Sequence, residues 1–263
     1  MAKSKVVRQK SKRVASRKVQ KAAPKSIKFT RSRDVAVAGA ISAVVLSGGA
    51  IMFSSLQDRA RIENYTPVYT ISVAEHKTAK TNLSNLGIRA DDFAPPEAYK
   101  DANMPSWNDS DRNGCNTRED MLIRDMFAVK LNKDNECRIT NGKLYDYYIG
   151  ETILWDNNIS GGGIDVDHIV SKSDAWSSNG YGWERTRWVE FNNDPDGLLS
   201  VSASINRAKG DKNVSQWLPP NEAFHCRFVV VQVNVKFKYE LTVTRSEGME
   251  MNRVLEDECE VLE

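Results

Sequence analysis

The chain has 263 residues, room for one domain of ordinary size plus extensions. Its four cysteines include no CxxC pair, which excludes a zinc ribbon and a thioredoxin-like redox site. The formal charge of +2 hides an asymmetry: residues 1–33 hold 13 of the 37 Lys and Arg and no acid, leaving 24 bases against 35 acids, a net of about −11, in the rest.

Residues 1–34 read as a solvated basic tail. Val35 to Phe53, "VAVAGAISAVVLSGGAIMF", is 19 residues without a charge. As a helix it would span about 28 Å, close to the thickness of a bilayer core. Residues 35–56 are therefore expected to form a transmembrane signal anchor, with the tail cytoplasmic and the rest exported. The long basic segment ahead, and the lack of a good small-x-small site before Gln57, favour this over secretion after signal cleavage, the alternative. The cysteines agree with export, since Cys115, Cys137, Cys226 and Cys259 all fall in the exported part and can form two disulfides there. Three pairings are open; Cys115–Cys137 with Cys226–Cys259 is preferred, because each pair brackets one compact segment.

Residues 57–103 read as a polar stalk, broken by "APPE" at Ala94–Glu97 and carrying one short apolar alternation at Pro67–Ala74. The compact domain is expected over 104–263. Thr117 is a candidate helix N-cap, with Asp120 three residues on. The helix would run through "EDMLIRDMFAV", with Met121, Leu122, Met126 and Val129 at helical spacing. "LYDYYIGETILW" reads as a strand pair or a strand with a turn, and "GGGIDVDHIV" as a glycine turn into a short strand. "ERTRWVEF" reads as a helix that stops before the turn "NNDPDG". "LLSVS" is a second short strand, and "SASINRAKGDK" begins a helix. From Val231 to Val243, "VQVNVKFKYELTV" alternates with period two, the pattern of an amphipathic strand.

Chemistry concentrates at Asp167-His168 and at Asn206–Gly210. Phosphodiester hydrolysis needs an activated water and neutralisation of charge on the phosphate. A neutral imidazole is a suitable general base. A hard divalent cation takes oxygen ligands, which the Asp167 carboxylate and the Asn206 amide supply. Arg207 and Lys209 are candidate phosphate contacts. A lone histidine is more often a satisfied core residue, and His76 in the stalk and His225 beside a cysteine outside the motif are given no functional role. His168 stands apart because Asp167 precedes it and the N-x-x-K-G spacing follows.

The order of "DHIV" (Asp167–Val170) and "LLSVSASINRAKGD" (Leu198–Asp211) resembles the ββα-metal fold of HNH (His-Me finger) endonucleases. The resemblance implies an α+β fold with a ββα-metal core and surrounding helices. It also implies that His168 activates water while Asp167 and Asn206 hold one divalent metal, Mg²⁺ or Mn²⁺, on a DNA (or RNA) phosphate. Gly197 departs from the pattern, which has an asparagine there; Asn192 or Asn193 is expected to take over its bracing of the catalytic loop. "DRNGCNTREDMLIRD", "AW" at Ala175–Trp176, "FNNDPDGLLSVSASINRAKGD", "WLPPN" and the final cysteine look like an exported bacterial HNH family related to the C-terminal nuclease domain of GmrSD. This likeness implies that Arg118 is a phosphate contact near the active centre. It also implies that "FVVVQVNVKFKYEL" is a helix, against the period-two pattern, and it is followed here because context often overrides β-propensity. The expected function is a membrane-tethered, metal-dependent endonuclease facing outside the cytoplasm. Gly197 and the acidic body favour a second reading, a catalytically silent nucleic-acid or envelope-binding module on the same scaffold.

Overall fold

The computed structural model describes residues 67, 69–156 and 163–262. The basic tail and the expected anchor at 35–56 lie outside the described residues. Among the described residues no helix is long and apolar enough to cross a membrane.

The fold is α+β. Strand β1 (Ile71–Ser72) leads into helix α1 (Val73–Ser84), and β2 (Gly87–Arg89) follows. Helix α2 (Thr117–Asp125) runs into β3 (Met126–Leu131), which pairs antiparallel with β4 (Ile139–Asp146) and, through it, with β5 (Glu151–Asp156). The hairpin that carries the motif is β6 (Ile164–His168) with β7 (Leu198–Ser202), antiparallel, with His168 opposite Leu198. The loop between them holds α3 (Lys172–Ser177) and α4 (Arg185–Asn192). Helix α5 (Ala203–Lys209) follows β7 directly and ends at Gly210, whose φ of 54° is in the left-handed region that glycine tolerates. Helix α6 (His225–Lys238), β8 (Thr242–Thr244), α7 (Arg245–Asp257) and β9 (Val261–Leu262) complete the chain.

Helix α6 is the axis of the core. Residues 225–233, Val235 and Lys236 are buried, so it is covered on nearly every face. That explains why its sequence alternates without being a strand. Period two reports a face only when one side meets water, and here neither does. The helical reading drawn from family likeness holds, and the strand reading fails.

Two boundaries differ from expectation. Helix α2 is capped by Asn116, not Thr117: its side chain accepts the Glu119 N–H, and Glu119 reaches back to the Asn116 N–H. The helix stops at Asp125 because Met126 is taken into the sheet opposite Leu144, where both are buried. The Asp125 carboxylate is held at this junction by the Ser200 N–H at 2.8 Å and by Arg124.

The expected stalk is the second correction, since residues 71–89 belong to the body. Strand β1 pairs parallel with β9, and β2 pairs parallel with β8. Helix α1 packs against α6 and α7. Arg89 reaches the interior, 3.1 Å from Asp174 and 3.6 Å from Glu247. The same carboxylates hold Lys236 of α6, fully buried, at 2.6 and 2.8 Å. Helix α1 escaped notice because its sequence lacks an apolar stripe, although its capping box (Ser72 with Glu75) is plain.

Both disulfides have the local pairing. Cys115–Cys137 ties the loop before α2 to the β3–β4 connection, and Cys226–Cys259 ties α6 to the segment after α7.

Candidate active site

Side chains alternate along β6, so Asp165 and Asp167 face one way and Val166 and His168 the other. His168 is 8% exposed. Its ring lies between Trp107, with centroids 5.2 Å apart, and Phe191 at 5.8 Å, both nearly parallel to it. Nε2 is 3.0 Å from the Asn192 carbonyl oxygen. A carbonyl only accepts, so Nε2 carries the proton and Nδ1 keeps the lone pair. Burial, then the positive charge of Lys172, pull the His168 pKa down to about 3. The resting ring is neutral.

The turn after α4 places that carbonyl. The Asn193 side chain accepts the Asn108 N–H and donates to the Val189 carbonyl, each at 3.0 Å, which fastens the Trp107 segment over the imidazole. Gly197 contributes only backbone, its carbonyl accepting the Ile169 N–H at 2.9 Å. A Cβ at Gly197 would meet Val235 of α6 at 3.4 Å. The bracing therefore falls to both neighbouring asparagines, Asn192 through its carbonyl and Asn193 through its amide.

Asp167 is buried on the opposite side of the strand. Its Oδ2 accepts the Tyr148 hydroxyl at 2.6 Å and its Oδ1 accepts the Lys209 ammonium at 2.8 Å. Burial pushes its pKa up, and the Lys209 charge opposes that. Lys209, expected to meet a phosphate, is instead fully buried and also donates to the His168 carbonyl at 2.8 Å. The correction is physical: a buried carboxylate requires a counter-charge, and α5 aims the lysine inward to provide it.

Asn206 donates to Asp165 Oδ2 at 3.2 Å, and its own side-chain oxygen accepts nothing among the described residues. Arg118 donates to the Ile164 carbonyl at 3.3 Å, at the opposite end of β6 from His168. Arg207 stays exposed on α5. Thus Asp167, His168 and Lys209 are joined directly, Asn206 joins through Asp165, and the two arginines stand apart.

Among the described residues no three His, Cys, Asp or Glu side chains form a metal-holding group. The donor chemistry still suits a hard cation. Asp167, Asp165 and the Asn206 amide are all oxygen donors; the Asn206 oxygen accepts nothing among the described residues, and a cation at Asp167 would take the place of the Lys209 ammonium. Mg²⁺ keeps most of its waters and takes one or two carboxylates plus substrate phosphate, so a sparse oxygen set fits it.

Asp165, Tyr148, Trp107, Phe191 and the Asn192 carbonyl were not singled out in the sequence. Strand periodicity puts Asp165 on the side of Asp167 and was enough to find it. Nothing local marks Tyr148 or Trp107, which arrive from 19 and 61 positions upstream of the residues they contact.

Residues 116–254 match the family described as GmrSD restriction endonucleases, C-terminal domain. An "Uncharacterized secreted protein" of Arthroderma benhamiae is 31% identical over 186 residues, covering 70% of this chain and 86% of that protein. No solved structure matches.

Proposed function

The chain belongs to the family of GmrSD restriction endonuclease C-terminal domains, and from that membership and the setting of His168 we propose a DNA endonuclease of HNH type, acting outside the cytoplasm. One observation supports the reading most. The Asn192 carbonyl holds the imidazole in the tautomer whose Nδ1 accepts a proton, at the end of the first strand of a ββα unit. Buried and neutral, that nitrogen is ready to take a proton from water. Its basicity is low at rest, and an arriving phosphate anion raises it, because a nearby negative charge favours imidazolium. Trp107 and Phe191 hold the ring's plane, so the base does not lose its aim. Asp167 and Asn206, with Asp165 beside them, would hold a divalent metal, most suitably Mg²⁺ or Mn²⁺. Bound there, it would supply charge neutralisation for the phosphate and the departing oxygen. The relative's printed name, a secreted protein, and the two disulfides support an extracytoplasmic location.

The test is plasmid incubated with the purified chain and Mg²⁺ or Mn²⁺, with EDTA and His168→Ala as controls. Cutting should need the metal and fall at least 10²-fold, on the order expected of a general base, in the variant. Equal cutting by His168→Ala overturns the mechanism. The aromatic cover over His168 favours the second reading, a silent binding module, and the same assay decides: DNA bound without any cutting would establish it.

A further inference from the structure

Beside the hairpin lies a cavity of about 250 Å³, lined by α2, the β3–β4 sheet, β5 and the first residue of β6. Leu122, Met126 and Ile139 give it apolar walls, Trp155 supplies an indole, and Arg118 and Arg138 supply two guanidinium groups. We propose that this cavity is a nucleobase subsite, in which Trp155 stacks on one base of the bound strand while Arg118 and Arg138 meet its phosphate. The inference rests on the nuclease reading and names how that site engages its substrate.

Position is the first argument. Ile164 lines the cavity, and its carbonyl is held by Arg118. The next residue, Asp165, accepts from Asn206. The cavity therefore lies one residue along β6 from the Asp165–Asn206 pair, on the other face of the strand, and a bound strand several nucleotides long would reach both. Size agrees: the volume lies at the lower edge of small-molecule sites and suits one ring system. Chemistry is the second argument. No described ring stacks on Trp155, and neither arginine forms an ion pair among the described residues. Glu119 also lines the cavity, with its carboxylate engaged by the Asn116 N–H, and two guanidinium groups beside apolar walls and an indole fit a ligand that is flat and aromatic at one end and anionic at the other. Charge is the third argument. The body carries about eleven excess acids, so a lining with two arginines against one glutamate is a local reversal of sign, which favours a polyanion.

Binding of a fluorescent single-stranded DNA oligonucleotide to the full chain is measured by anisotropy in EDTA, where nothing is cut. An abasic oligonucleotide of equal length is the comparison. Trp155→Ala should weaken the normal oligonucleotide about tenfold and leave the abasic one unchanged, since one base–aromatic stack is worth about that factor. Trp155→Phe should recover most of the loss, and Arg138→Ala should weaken both ligands and flatten the salt dependence. Equal losses on both ligands in Trp155→Ala, wild-type affinity in that variant, or no binding by the wild-type chain each overturn the proposal. Failure here with His168-dependent cutting intact leaves the nuclease reading standing. Base-dependent loss at Trp155 in a chain that never cuts leaves the subsite standing without it.

Discussion

Lys209 and Arg207 sit two positions apart on one short helix and have opposite fates. The first is sealed against Asp167 and the His168 carbonyl, whereas the second is exposed. Lys209→Met should strand a buried carboxylate and cost about 3–5 kcal/mol. At this chain size that lowers the melting temperature by on the order of 10 °C. Arg207→Ala should change the stability by less than about 0.5 kcal/mol. Melting curves decide, and if the two variants unfold together, the ion pair is not holding the site. Asp167→Ala and Asn206→Ala should both weaken metal titration. Excess Mn²⁺ should rescue Asn206→Ala better, because it keeps the charged ligand; unchanged titration in both would remove them from the metal site. At this scale the sequence was legible where chemistry is carried by neighbours in the chain. Order and spacing singled out Asp167, His168 and Asn206, which the structure sets on the hairpin and the helix that follows it. What a charged side chain faces is set by elements distant in sequence, so Lys209 was misread as a phosphate contact and Tyr148 was not seen.

Elements were legible where one face meets water or where caps are local. The hairpin strands, α4, α5 and the β4–β5 pair were found. Helix α6, buried all round, gave a misleading period. Helix α1 gave almost none, although Arg89 just beyond it reaches a buried cluster with Asp174, Glu247 and Lys236. That segment makes a sharp prediction. A chain cut back to Met104 should lose its cooperative unfolding transition and become protease-sensitive, because it lacks β1, α1 and β2 and strips α6 and α7 of their cover. A chain beginning at residue 67 should keep both properties. An unchanged melt from the Met104 chain would return residues 71–89 to the role of a stalk.

For the molecule as a whole, the disulfides are the most accessible observation. A non-reducing digest should yield Cys115–Cys137 and Cys226–Cys259 peptides. The paired change Cys226→Ser and Cys259→Ser should cost about 2–4 kcal/mol, and it should be read as a fall in melting temperature. Free thiols in protein from its native compartment would contradict an oxidising location. Protease added to intact cells tests the rest of the topology: the body should be digested while an N-terminal tag survives if residues 35–56 are an anchor. Survival of both ends would place the whole chain inside.

The pairing of Ile71 with Val261 joins residues 190 positions apart. A chain made at roughly 5–20 residues per second needs on the order of ten seconds or more to deliver the second partner after the first. Throughout that interval Ile71 lacks its partner strand, and for most of it α1 has neither α6 nor α7 to lie against. The hairpin bearing His168 is complete earlier, yet Gly197 beneath it still waits for Val235. Closure is therefore a late event in synthesis, set by the 190 positions between the two paired strands. A nascent copy still at the ribosome, among the cell's own nucleic acids, holds Asp167 and His168 without the body that aligns them.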